Sequence, residues 1–153
     1  MIIGSPWPNF WIVKFVKGKA MRVILLALLV LFPASAIAED RLPMNQDPEL
    51  ERGLRLVAQG HFVRKYCDSV SPRVFRAYGL LNSLKSRAEE LGYSEEEMEA
   101  YVDDPTEKAR VEGLAKLDLE AMGAVFGQPD TFCDVAKTQI AAGRGFGWYF
   151  RYN

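Results

Sequence analysis

Residues 91–105 read LGYSEEEMEAYVDDP, and three helix boundaries fall within them. The triplet at 91–93 is typical of a helix C-terminus, where glycine takes the left-handed conformation and the flanking apolar side chains touch. Ser94 and Glu97 have the spacing of a capping box. Asp104-Pro105 places a hydrogen-bond acceptor before a proline that suits the first helical position. The stretch therefore predicts the end of one helix, a short helix and the start of another.

The same signals predict helices on both sides of this stretch. Asp47-Pro48 indicates the start of the first helix, and Ser71-Pro72 repeats the pattern for the second, which ends at Gly92. The last helix begins near Pro129-Asp130 and ends at Gly143. Strand-like alternation is absent apart from a weak pattern in 146–152. The sequence predicts an all-α fold, a compact bundle of about five helices over residues 47–143.

Apolar side chains recur at helical spacing and define the predicted core faces. The first helix presents Leu50, Leu54, Val57, His61 and Tyr66, and the second presents Val74, Phe75, Ala77, Tyr78, Leu81, Leu84, Ala88 and Leu91. Gly53 and Gly60 interrupt the first helix, at about 1 kcal/mol each relative to alanine. They indicate either close packing or a marginal helix.

The N-terminal region has the three parts of a secretory signal peptide in residues 21–38: a basic start, an apolar run and a small-x-small site. We expect cleavage between Ala38 and Glu39, which leaves residues 39–46 as a flexible mature N-terminus. A transmembrane helix would need about 20 apolar residues, and this run is shorter. Residues 1–20 fit neither the basic start of a signal peptide nor the mature domain. A start codon assigned too early, with Met21 as the true initiator, would explain them. The expected location is the periplasm, with no transmembrane anchor in the mature form.

Charge argues against nucleic-acid binding. The whole chain has a net charge of −1, but four of its 19 basic residues precede the predicted cleavage site, so 15 remain against 20 acidic residues, a net charge of −5. An acidic domain repels phosphate backbones.

Cys67 and Cys133 are the two cysteines of the chain. An even pair in a small exported domain predicts one disulfide. The alternative is a redox-active pair, but catalytic cysteines usually lie close together in sequence, as in Cys-x-x-Cys.

No residue pattern predicts a catalytic, cofactor or metal site. His61 is the single histidine and lies on a predicted core face, and no nucleophile motif accompanies it. Zinc would need more Cys or His ligands. Acidic residues at 95–97, 99 and 103–104 could supply a calcium site or a carboxylate pair, but their placement fits helix termini better.

The C-terminal segment 144–153 reads RGFGWYFRYN and is rich in aromatic residues. Its five aromatics are candidate interaction residues: Phe146, Trp148, Tyr149, Phe150 and Tyr152. They could dock on the domain, bind a partner or lie at a membrane interface. Docking is favoured, because exposed aromatics promote aggregation.

Several stretches resemble a family of small exported helical proteins of unknown function from alphaproteobacteria: 75–77, 84–88, 91–104, 107–111 and the surroundings of both cysteines. The resemblance covers roughly residues 50–141. It implies a periplasmic location and a matching cysteine pair, and it carries over no catalytic or binding residue. The aromatic end after Phe146 departs from the family pattern.

The sequence thus favours a non-enzymatic binding module of the cell envelope that binds another envelope protein or a different envelope component. Two alternatives stay open: a hydrolase of an envelope polymer that uses paired carboxylates, and a carrier of a small apolar ligand. The oligomeric state is not predicted.

Overall fold

The computed structural model describes residues 41–153, and helices account for 74% of them. The elements are α1 (Pro48–Tyr66), β1 (Val70–Pro72), α2 (Val74–Glu90), α3 (Glu95–Asp103), α4 (Pro105–Ala121), α5 (Pro129–Ala142) and β2 (Phe150–Tyr152). Two 3-10 segments, Met44–Gln46 and Gly145–Tyr149, flank the bundle in sequence. The predicted helical fold with five helices is confirmed, with a two-stranded sheet added to it.

Most of the predicted helix termini are confirmed. Asp47 and Asp104 each accept hydrogen bonds from two backbone amides in the first turn of the helix that follows. Ser94 and Glu97 form the reciprocal capping box. Gly143 ends α5 in the left-handed conformation, with φ 59°. Local capping chemistry therefore sets these boundaries, as the sequence predicts.

The prediction that Ser71-Pro72 begins a helix is wrong. Pro72 is the last residue of β1 and pairs with Phe150 in the antiparallel β2. Helix α2 starts after Arg73, which makes no side-chain capping hydrogen bond. The Arg73 backbone amide instead donates to the Tyr149 carbonyl at 2.7 Å. Pairing with the C-terminal segment thus overrides the local signal, and the weak strand pattern in 146–152 is realised as β2.

Two hydrophobic clusters hold the domain together. The larger includes Val63, Leu119, Phe132 and Phe146 and joins α1, α4, α5 and the C-terminal segment. The smaller comprises Met44, Leu50, Leu84 and Ala88. Met44 belongs to the segment 39–46 predicted as a flexible N-terminus, and its burial attaches that part to the domain.

The glycines of α1 mark close approaches of other elements. A Cβ on Gly53 would collide with the Leu84 side chain of α2. A Cβ on Gly60 would come within 2.8 Å of Cε2 of Phe150. Of the two interpretations offered by the sequence, close packing is therefore the one that applies.

The predicted core faces of α1 and α2 are only partly buried. Leu50, Leu84 and Ala88 are buried as predicted, but Val57 is 41% exposed and Phe75 is 93% exposed. Also exposed are Val74, Tyr78, Leu81 and His61. Helical periodicity identifies an apolar face correctly here but does not show whether anything covers it. Within residues 41–153 no helix is both long and apolar enough to cross a membrane.

Candidate binding groove

An uncovered face of α1 forms the floor of a surface groove, which we name the α1 groove. It consists of two adjoining clefts of about 500 Å³ and 430 Å³ that share Val57, His61 and Leu81. The first cleft is closed by α2, Pro72 and the C-terminal segment, and the second by α3 and α4. The other apolar residues of the groove are Leu54, Leu56, Ala58, Ala77, Leu80, Tyr101, Val102, Val111, Tyr149 and Phe150.

Contacts on both sides of α1 explain why this face stays open. On one side, α2 packs closely on Gly53 through Leu84. On the other side, Asp118 of α4 accepts a 2.9 Å hydrogen bond from Nε of Arg55 and a 2.7 Å bond from Gln59. Among residues 41–153, the stripe between these two sides therefore has helices beside it and none over it.

The groove is apolar on facing walls. Leu81 of α2 and Val102 of α3 are each 51% exposed, although both line clefts next to Val57. Single exposed apolar side chains are ordinary on a protein surface, but contiguous ones mark sites of interaction. The three residues come from three different helices, so the apolar surface is a product of the tertiary fold.

Charges are distributed unevenly along the groove. Arg64 and Lys65 lie in the first cleft, whose lining contains no carboxylate, and no acidic side chain within residues 41–153 forms an ion pair with them. The second cleft contains Glu107, Glu112 and Lys108. One end of the groove is therefore cationic, and the other carries the carboxylates.

Ion pairs and hydrogen bonds fix the α3–α4 wall. Arg110 donates to both carboxylate oxygens of Glu51 on α1, at 2.9 and 2.7 Å, and to Glu107 at 2.9 Å. The Tyr101 hydroxyl donates to Glu107 at 3.0 Å, and burial raises the pKa of Tyr101 to about 12. The hydrogen bond from Arg110 lowers the pKa of Glu107. The wall is thus held as a charged network that stays intact near neutral pH.

The described carboxylates do not form the metal site that the acidic residues at 95–97, 99 and 103–104 could supply. No group of three or more His, Cys, Asp or Glu side chains in residues 41–153 could hold a metal ion. Where the pKa of a carboxyl group in this part of the chain departs clearly from its ordinary value, it is lowered: Asp47, Glu95, Glu97 and Glu107. A general acid for glycoside hydrolysis needs a raised pKa. These four groups are therefore unsuited to that role.

Comparison with known proteins identifies the family of this chain. Residues 42–151, which contain all five helices and both sides of the groove, match the model described as Family of unknown function (DUF5333). The chain belongs to this family. No curated protein and no solved structure matches it. Membership agrees with the resemblance to a family of unknown function.

The disulfide of this DUF5333 domain is present as predicted. Cys67 and Cys133 are bonded, which ties the end of α1 to α5 across 66 residues of sequence. The predicted cleavage residues Ala38 and Glu39 lie outside the described residues, as do the segments 1–20 and 21–38.

The C-terminal segment of the DUF5333 domain packs on its own bundle. Phe146 and Phe150 are buried and Tyr149 is half-buried, whereas Trp148 and Tyr152 are exposed. Docking on the domain is thus the arrangement that the structure has, and it lets Tyr149 and Phe150 close one end of the groove.

Arg76 of α2 contacts the C-terminal segment at Trp148. Its guanidinium lies 3.7 Å from the ring centroid of Trp148, and Nη1 donates to the Trp148 carbonyl at 3.0 Å. Such a stack orders both side chains in one geometry.

Helical periodicity in α1 and α2 predicts five residues of the groove, but it assigns them to the core: Leu54, Val57, His61, Ala77 and Leu81. His61 lies in both clefts and is exposed, and its ring makes an edge contact with Phe62. A usable signal existed in Gly53 and Gly60, because they show which side of α1 other elements approach. The apolar stripe beside these glycines is the part of α1 on which no other helix of residues 41–153 packs.

Proposed function

We propose that this DUF5333 protein is an exported, non-enzymatic binding module of the cell envelope that holds a partner protein in the α1 groove. One observation carries the proposal. Val57 and Leu81, on neighbouring helices, are 41% and 51% exposed in the same groove. Burying such surface in a partner is favourable by about 25 cal/mol per Å².

Export is supported by two independent features. Residues 21–38 have the composition of a cleavable signal peptide. The Cys67–Cys133 bond is of the kind that persists in oxidising compartments such as the periplasm. Both features favour a periplasmic protein.

A binding role agrees with the chemistry of the groove. Its apolar side chains are mainly aliphatic, and its charged network joins Arg110 to Glu51 and Glu107. This arrangement provides apolar area and fixed charge, which recognition requires.

In-cell photocrosslinking tests the proposal. A benzophenone amino acid replaces Val57 in one protein and Gly79 in a matched control, since Gly79 lies on the exposed side of α2 with open space around it. We expect an adduct with another envelope protein from position 57 and none from position 79. Equal adducts from both positions, or none from either, would contradict binding in the groove.

A further inference from the structure

We infer that the occupant of the α1 groove is one amphipathic α-helix of the partner protein, which adds a sixth helix to the bundle. This inference rests on the proposed function and specifies the chemical nature of the partner. Shape, the extent of the apolar surface and the charge pattern each support it.

The shape of the groove matches a missing helix. Its floor is one helix, α1, and its walls are α2 on one side and α3 with α4 on the other. Helices in bundles pack with their axes 8–10 Å apart and place side-chain ridges into grooves of this kind. A helix laid over the Leu54–Val57–His61 stripe would complete the layer that α2 and α4 begin.

The apolar surface continues beyond the groove, which favours a helix over a small ligand. On α2, Val74 and Tyr78 extend the line of Leu81, and they are 67% and 64% exposed. Positions 74, 78 and 81 follow i, i+4, i+7 spacing and span about 10 Å of helix axis. A small ligand is normally enclosed by its pocket, whereas a helix can lie along such a stripe.

The charges define which way the incoming helix points. Arg64 and Lys65 at one end favour carboxylates on the partner, whereas at the other end Lys108 lies beside Glu112 and Glu107 is already paired with Arg110. Charged groups across an interface fix register and suppress wrong partners more than they add affinity. The partner helix is therefore acidic at the end that lies near the C-terminus of α1.

Selection from a displayed library of random 18-residue peptides tests this inference. The protein is expressed from the whole chain, and Leu81→Asp serves as the counter-selection target. We expect the enriched peptides to share apolar residues at i, i+3 or i+4 and i+7, with acidic residues clustered at one end. The best peptide should gain helical circular dichroism on binding and lose at least about tenfold in affinity with Leu81→Asp.

Charge reversal tests the orientation separately. Arg64→Glu should lower the binding affinity of the selected peptide about threefold or more. The loss in affinity should become smaller as the salt concentration rises. Arg52→Glu is the matched control, because this substitution makes the same charge change at an exposed position of α1 outside the groove. Equal effects of the two variants would overturn the assigned orientation.

The remaining outcomes separate failure of this inference from failure of the proposed function. Enriched peptides that need Leu81 but are extended or proline-rich would overturn the helix and leave groove binding standing. Absence of any Leu81-dependent peptide would overturn the helix as occupant, and the crosslinking at position 57 would then decide the function independently. A dimer that Leu81→Asp dissociates in sedimentation equilibrium would give the groove to a second copy of the chain. A lipid retained in native mass spectrometry and lost with Leu81→Asp would give it to an apolar ligand.

Discussion

Leu84 of α2 lies directly on Gly53 of α1, and this contact determines where the groove is. It brings the C-terminal half of α2 onto α1, while one turn earlier Leu81 stays 51% exposed. A larger residue at position 53 would push the two helices apart at the point where they are closest.

Substitution of Gly53 by alanine tests this contact. The added Cβ would collide with the Leu84 side chain, so we expect Gly53→Ala to lower the free energy of unfolding by about 1–3 kcal/mol, despite the better helix propensity of alanine. Gly79→Ala is the control, because it also lies within a helix and has open space around it. It should raise the free energy of unfolding by up to about 1 kcal/mol. Stabilisation by both variants, measured by urea unfolding, would refute close packing at Gly53.

Asp47 combines a helix cap with an ion pair. It is fully buried, accepts from two amides of α1 and accepts hydrogen bonds from Nε and Nη2 of Arg87 at 3.1 and 2.7 Å. We expect Asp47→Ala to lower the free energy of unfolding by about 2–3 kcal/mol, since the helix cap is lost and the partly buried Arg87 loses its buried partner. Asp104→Ala removes a comparable cap that pairs with no arginine of residues 41–153, and it should lower the free energy of unfolding by about 1 kcal/mol. Equal losses in denaturant unfolding would show that the Arg87 contact adds nothing.

The same ion pair predicts a pH dependence. The hydrogen bond from Arg87 lowers the pKa of Asp47 in the folded state below its ordinary value of 3.8. A lowered folded-state pKa contributes stability that is present above the unfolded-state value and is lost as pH falls through the folded-state value. The native protein should therefore have a higher free energy of unfolding than Asp47→Asn, by an amount that is constant near neutral pH and shrinks below about pH 4. An advantage that does not change between pH 7 and pH 2.5 would contradict this assignment.

The disulfide provides a further test. Cys67→Ala with Cys133→Ala opens a covalent loop closed across 66 residues, and chain entropy predicts a loss of about 4 kcal/mol. The double variant should keep its helical circular dichroism at low temperature, because the apolar side chains packed around Phe132 and Val63 remain in place. Unfolding midpoints in urea that are unchanged by the double variant would show that the bond does not stabilise the fold.

The helix starts could be predicted because their causes are local. Ser94 and Glu97 lie three residues apart, and Asp104 acts on the next turn, so the sequence contains all the atoms that make these caps. The signal at Ser71-Pro72 failed for the opposite reason. Its partner in β2 lies almost eighty residues further along the chain, and no local pattern reports that pairing.

The groove could be predicted only in part. Periodicity placed Leu54, Val57 and His61 on one face, which is correct, but whether a face is covered depends on where other helices pack. Gly53 and the Arg55–Asp118 pair settle that question, and the second of these joins residues 63 positions apart. The cysteine pairing needed no geometry, since two cysteines allow a single intramolecular bond.

Leucine truncation one turn apart on α2 tests the central claim most directly. Leu84 is 8% exposed and Leu81 is 51% exposed, so the two substitutions share their chemistry and differ in burial. We predict that Leu84→Ala lowers the free energy of unfolding by about 2–5 kcal/mol and Leu81→Ala by less than about 1 kcal/mol. Equal losses would show that Leu81 belongs to the core and that the α1 groove is closed in solution.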